Sequence, residues 1–217
     1  MLLQNWELLF ANEPLRLNII AAERDKFEQD YLFSINFRLN KLLWKKAVNQ
    51  GKFLENFINA WLGAKFAIYQ NNFDSLPIQL RVVATDFISG KAQYFDSGNI
   101  AEIVRASMAY PGIISPKKIN NIWFIDGFLF DDIPVEILKS NGCDFIIISD
   151  ATSKLYSSEK INNIFDVLDQ TLKIAVHQKN LEALKTADIV ITPDLQYLSG
   201  DNFNNIKETI NLGAKAV

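Results

Sequence analysis

Three carboxylates stand where apolar runs end: Asp86 after "VVAT", Asp126 after "WFI" and Asp150 after "FIIIS". A carboxylate at a strand mouth can serve as a general base, help hold a metal, or close a turn. Metal chemistry is poorly served. The chain has one histidine, His177, and one cysteine, Cys143, and no HExxH or CxxC. No GxGxxG or GxxxxGK[ST] occurs either, so no phosphate-cradling loop and no cofactor is expected. A serine–histidine–aspartate triad would have only His177 as base, and that residue falls in a long helical stretch where a structural role is the plainer reading. Asp126-Gly127 is also an ordinary turn signal, and residue types alone favour the turn.

The surrounding elements decide whether such residues can meet. Phe27, Tyr31, Ile35, Leu39 and Leu42 recur at helical spacing and predict a helix over 27–48. After Gly51 a second helix carries two stripes: Phe53, Phe57 and Trp61, with Leu54, Ile58 and Leu62 beside them. The aromatic stripe could line a lipid-binding mouth, but core packing is the favoured reading. Lysines around Trp44 could meet anionic lipid, with a solvated face as the default.

Beyond Pro77 the texture changes. "IQLRVVATDF" reads as a strand, "ISGK" as a turn and "AQYF" as a returning strand. Asn99 can cap a helix over 100–108, and Pro134 suits the first turn of another. "NIWFI", "CDFIIISD" and "DIVITPD" read as strands, the second buried on both faces like a central parallel strand. Helices are expected over about 160–185 and from about Asp201 onward. Strands alternating with helices imply a layered α/β domain.

Composition agrees with a folded chain: of 217 residues, 49% are hydrophobic and 22% charged. A net charge of −3 gives no field to attract nucleic acid. No run approaches the roughly 18 to 20 apolar residues of a membrane span. The N-terminal "MLLQNWELLF" lacks a basic region before its apolar residues, and the lone cysteine suits a reducing compartment, so a cytoplasmic location is expected.

Several short motifs occur in a fixed order: Ala84-Thr85-Asp86 with Gly90, Ser97-Gly98, Arg105-Ala106-Ser107-Met108-Ala109, Pro111-Gly112, Asp126-Gly127, Pro134, and Gly142 before the strand ending in Asp150. In these the chain resembles the bacterial patatin-like phospholipases, most clearly over 76–150. "ALKTADIVITPDL" and "FNNIKETINLGAKA" look like that family's closing strand and helix. The resemblance implies a three-layer α/β/α domain with a mainly parallel sheet, present as one partial domain over 1–217 and truncated at its N-terminus. It also implies a lipid acyl hydrolase with a serine–aspartate dyad. In such enzymes a GxSxG serine attacks the ester, the aspartate of an Asp-Gly motif takes its proton, and a glycine-rich loop donates to the oxyanion. Asp126 matches that base and Gly127 its flanking glycine.

The chain departs from this pattern in three respects. It has no GxSxG, and none of Ser89-Gly90, Ser97-Gly98 and Ser199-Gly200 has a glycine two residues earlier. The oxyanion loop is absent, and Phe128 replaces the motif's second glycine. Ser107 is the best-placed substitute nucleophile, but it lacks glycine shoulders. Arg105 reads as a residue of an exposed helix face and Cys143 as a small core residue. The expectation is therefore a chain that keeps the base, lacks the nucleophile and is inactive alone. A separate N-terminal segment would complete the site, and the substrate would be a phospholipid or other acyl ester met at a membrane periphery. The alternative is a non-enzymatic lipid-binding or interaction module. Without its upstream strands, "IIIS" or "RVVAT" should present an unpaired apolar edge.

Overall fold

A computed structural model of the chain describes residues 36–38, 41–43, 49–152, 154–195 and 206–217. These fall into two compact units that divide between Gly127 and Phe128.

In the first unit, β1 (Asn36–Arg38) pairs antiparallel with β2 (Lys41–Leu43). This overturns the helix expected there. Tyr31, Phe33, Ile35, Phe37 and Leu39 also alternate at period two, and that period wins at Asn36–Arg38. Lys41–Leu43 of the expected helix is likewise strand, whereas 27–35, 39–40 and 44–48, with Trp44, Lys45 and Lys46, lie outside the described residues.

Helix α1 (Lys52–Ile58) runs through a π-helical turn at Asn59–Gly63 into α2 (Ala64–Ile68). The stripe it buries is Leu54 and Ile58, against Ala101, Ala109 and Ile114. The favoured burial of the aromatic stripe is wrong: Phe53 and Phe57 are half-buried and Trp61 is 53% exposed. A helix lying on alanines seats only one narrow stripe closely, and the branched aliphatic one fits.

Four strands then form one sheet in the order β4-β3-β6-β5: β3 (Val82–Asp86), β4 (Ala92–Phe95), β5 (Lys117–Ile119) and β6 (Ile122–Asp126). Every pairing in it is antiparallel, so the expected mainly parallel sheet is corrected. For the two hairpins, β3–β4 and β5–β6, the reason is the connections. A short turn through Gly90 joins β3 to β4, and Asn120-Asn121 alone joins β5 to β6. Parallel strands would need crossovers of a dozen residues or more. The strand β5 has no counterpart in the sequence reading. β3 has neighbours on both sides, so "RVVAT" is not an open edge.

Helix α3 (Ile100–Ser107) covers one face of this sheet. Its start is as expected, with the Asn99 side chain accepting from the amides of Ala101 and Glu102 at 3.0 and 3.3 Å. Ala106 packs between Ala84 and Phe124, while Ile100 and Ile103 close over Phe73.

The second unit holds α4 (Phe128–Asp131), α5 (Val135–Ser140), β7 (Ile147–Ser149), α6 (Ile164–Leu184), β8 (Ile189–Ile191) and α7 (Ile206–Lys215). β7 and β8 pair in parallel, as a strand–helix–strand connection permits. Ile146 and Ile148 pack with Ile133 and Val135, but Phe145, Ile147 and Ile189 remain exposed. The strand is thus apolar on both faces and covered on one. Among the described residues β7 has a single neighbouring strand. Cys143 is exposed rather than buried, because it ends the α5 cap. Gly142 takes φ 83°, and the amides of Gly142 and Cys143 donate back to the carbonyls of Lys139 and Leu138.

Candidate active site

Asp126 closes β6, and three backbone relationships fix its position. Across the ladder it stands opposite Ala84, with Ile125 opposite Thr85 and Phe124 opposite Asp86. Cross-strand partners share a face, as do residues two apart in a strand. Asp126 therefore belongs to the face of Ala84 and Phe124, the face covered by α3 through Ala106. Its amide donates to the carbonyl of Ala109 at 3.1 Å, which ties the strand end to the chain leaving α3. The residue is half-buried, and Ala109 is fully buried.

Gly127 explains why the motif needs a glycine. A β-carbon there would lie 2.6 Å from the Val83 carbonyl oxygen, so the end of β6 passes directly against β3. Gly127 is buried, whereas Phe128 is half-buried and opens α4.

The other strand-end acids fold back on their own turns. The Asp86 carboxylate accepts from the Ile88 and Ser89 amides at 2.9 and 3.3 Å and from the Ser89 hydroxyl at 2.7 Å. The Ser89 hydroxyl, then the Ile88 amide, hold its carboxyl below the usual range, which makes it a poor base despite its serine partner. Asp150 likewise folds back on its own loop. One of its oxygens accepts from the Thr152 amide at 3.0 Å and hydroxyl at 2.6 Å. Both are turn residues. Residue types gave Asp126 the same reading, yet Asp126 sits under a helix terminus instead.

Sequence reading missed Asp132. Burial pushes its carboxyl up, opposed by a 2.7 Å hydrogen bond from the Asn180 amide and reinforced by the charges of Asp150 and Asp131. The Asp131-Asp132 pair was the available signal, since adjacent acids at a helix end must share any cations within reach. Asp131 takes Lys179 at 2.9 Å.

Among the serines, Ser97 donates to Asp96 at 2.8 Å and Ser107 is the half-buried last residue of α3. Ser199 lies outside the described residues. Arg105 is 3% exposed, which corrects the exposed-face reading. Its guanidinium donates to the Gln50 carbonyl and to Ser115 Oγ at 3.1 Å, closing over the Gly51 turn. His177 is exposed on α6. No group of three or more acidic, histidine or cysteine side chains could hold a metal among the described residues. No helix among them is long and apolar enough to cross a membrane.

Residues 4–139 match the family described as Patatin-like phospholipase. The chain is also similar to uncharacterized NTE family proteins of Mycobacterium bovis and Mycobacterium tuberculosis. Each is 34% identical over 74 residues, which make up 34% of this chain and 21% of the relative. A second NTE family protein of Mycobacterium bovis is 23% identical over 167 residues, covering 66% of this chain and 29% of its own length. The chain thus spans between a fifth and a third of the length of these relatives. The family match contains Asp126-Gly127 and runs over more than half of the sequence, so the chain belongs to the patatin-like phospholipase family.

Proposed function

We propose that the chain supplies the base half of a lipid acyl hydrolase, with Asp126 as the proton acceptor of a serine–aspartate dyad. The single observation that carries this is the fixing of Asp126. It is the strand-end acid tied by its amide to the chain leaving a helix, with Gly127 pressed on the neighbouring strand, while Asp86 and Asp150 are spent on turns.

In the reaction, a serine oxygen adds to the ester carbonyl as its proton passes to Asp126. The aspartic acid then returns that proton to the departing alcohol, and water repeats the sequence to release the fatty acid. The serine and the oxyanion donors come from outside these 217 residues, because GxSxG does not occur in them. Alone, the chain is inactive. Under this reading the 217 residues are part of one α/β/α domain, and the substrate is a phospholipid or simpler acyl ester.

The test is hydrolysis of a short-chain nitrophenyl ester. The purified chain should not exceed background, and co-expression with a segment bearing the glycine-rich loop and GxSxG should restore turnover. Asp126→Asn should then remove about 10²–10⁴-fold of it. Turnover by the isolated chain that survives Asp126→Asn would overturn the assignment.

A second reading, a lipid-binding module without turnover, is favoured by one feature. Phe128 places a bulky ring where the motif otherwise has glycine. Vesicle binding by a complemented protein that hydrolyses nothing would select this reading.

A further inference from the structure

The antiparallel pairing of β3 with β6 brings two turns to one end of the sheet. β3 leaves where β6 enters, and the Phe87 amide donates to the Trp123 carbonyl at 2.8 Å. The turn after β3 is built from within. The Asp86 carboxylate gathers the Ile88 and Ser89 amides, Gly90 takes φ 69°, and its amide donates to the Asp86 carbonyl at 2.8 Å. The turn before β6 is a two-residue hairpin in which Asn120 and Asn121 take φ 47° and 67°. Neither turn needs its apolar side chains to hold its shape.

Those side chains nevertheless face solvent. Phe87 is 54% exposed, Ile88 79% and Ile122 45%, and Trp123 is half-buried beside them. Lys91 and Lys118 are exposed at the same end, with the Lys118 ammonium 5.9 Å from the centre of the Trp123 ring. The carboxylate of this region, Asp86, has its oxygens turned onto its own turn.

We propose that these paired turns are a contact for an anionic phospholipid surface. Phe87, Ile88 and Ile122 enter the boundary between head groups and acyl chains, while Lys91 and Lys118 meet phosphates. Charge complementarity argues for this occupant over a second copy of the chain, which carries a net charge of −3 but shows the same two cations at this end. The chemistry of the tip agrees, since aromatic rings with lysines beside them suit a bilayer interface. The inference deepens the lipid-hydrolase reading by naming how the surface is met, yet binding is read without turnover.

The test is flotation of the whole chain with vesicles of phosphatidylcholine alone and with about one-third phosphatidylserine. Binding is expected to favour the anionic vesicles. Phe87→Ser with Ile88→Ser should weaken it about 10-fold or more, and Ile122→Ser should weaken it less. Lys91→Gln with Lys118→Gln should erase the preference for phosphatidylserine. Ile68→Ser, at an exposed residue elsewhere in the unit, should change nothing. No flotation on either vesicle, an unchanged Phe87/Ile88 variant, or an equal effect from Ile68→Ser would overturn the proposal. Ester turnover by the complemented protein without flotation would overturn this contact and leave Asp126 as the base.

Discussion

Gly127 lies so close to Val83 that a β-carbon on the glycine would stand 2.6 Å from the valine carbonyl oxygen. Gly127→Ala must therefore push β6 away from β3 or distort the ladder beside Asp126. The expected loss is about 1–3 kcal/mol, the usual range for overpacking, read as a lower midpoint in urea. A variant as stable as the parent would mean that the strand end relaxes freely.

Arg105 supports the first unit from beneath the Gly51 turn. Removing its guanidinium takes a donor from the Gln50 carbonyl and from Ser115 Oγ and opens a void where the buried arginine packs. Arg105→Ala is expected to cost about 2–4 kcal/mol, visible in thermal unfolding. Arg105→Lys should recover only part, because one ammonium cannot reproduce the planar fork.

Two acids give opposite pH dependence. The Asp86 carboxyl is depressed by the Ser89 hydroxyl and the Ile88 amide, so its contribution to stability is present above its unfolded value of 3.8 and lost as pH falls through the folded one. The Asp132 carboxyl is raised by burial. Its ionisation costs stability above 3.8, and that cost disappears as pH falls below this value. Asp86→Asn should lower the melting temperature at pH 7 and matter less near pH 3 (roughly one unit below the carboxylate reference). Asp132→Asn should raise it at pH 7 and converge with the parent in acid. Parallel behaviour of the two variants across pH would contradict this.

Phe128 offers a test at the site. It opens the short helix α4 two residues after the proposed base. Phe128→Gly should cost about 1 kcal/mol in helix propensity. In the complemented protein it should raise ester turnover, since it restores the small residue of the motif. Equal or lower turnover at full folding would show that the ring does not limit the reaction.

A concentration-dependent association is also expected. β7 has one neighbour among the described residues, and Phe145, Ile147 and Ile189 are exposed on one face of its pair with β8. Light scattering should rise with protein concentration, and Phe145→Ser with Ile147→Thr should reduce it. A parent chain that stays monomeric throughout would refute the expectation.

What could be read from the sequence was whatever rests on local chemistry. The Asn99 cap, the "AQYF" strand and the long α6 depend on neighbours a few residues away, and all three are present. The antiparallel sheet was missed because β5 is only three residues long and its lysines hide a strand. Its Asn-Asn turn was the overlooked signal. Arg105 looked exposed because its burial depends on a turn far earlier in the chain. The 27–48 stretch carried two periods at once, and at Asn36–Arg38 the shorter one won. At the site, Asp126 stood out only through the order of its neighbouring motifs. Its standing against Ala84 and Ala109 is a tertiary fact.

The hairpin at Asn120-Asn121 reaches further than its size suggests. It pairs Ile119 with Ile122 and thereby counts off the residues of β6. Because side chains alternate strictly along a strand, one residue added after Asn121 would have to be bulged out or passed on. If passed on, it would move Phe124 and Asp126 together to the opposite face, bringing the phenyl ring to the outside and turning the carboxylate away from α3. The location of the proposed base is thus set from the opposite end of its strand. A single inserted codon in that turn would change the chemistry of the chain without touching any residue that performs it.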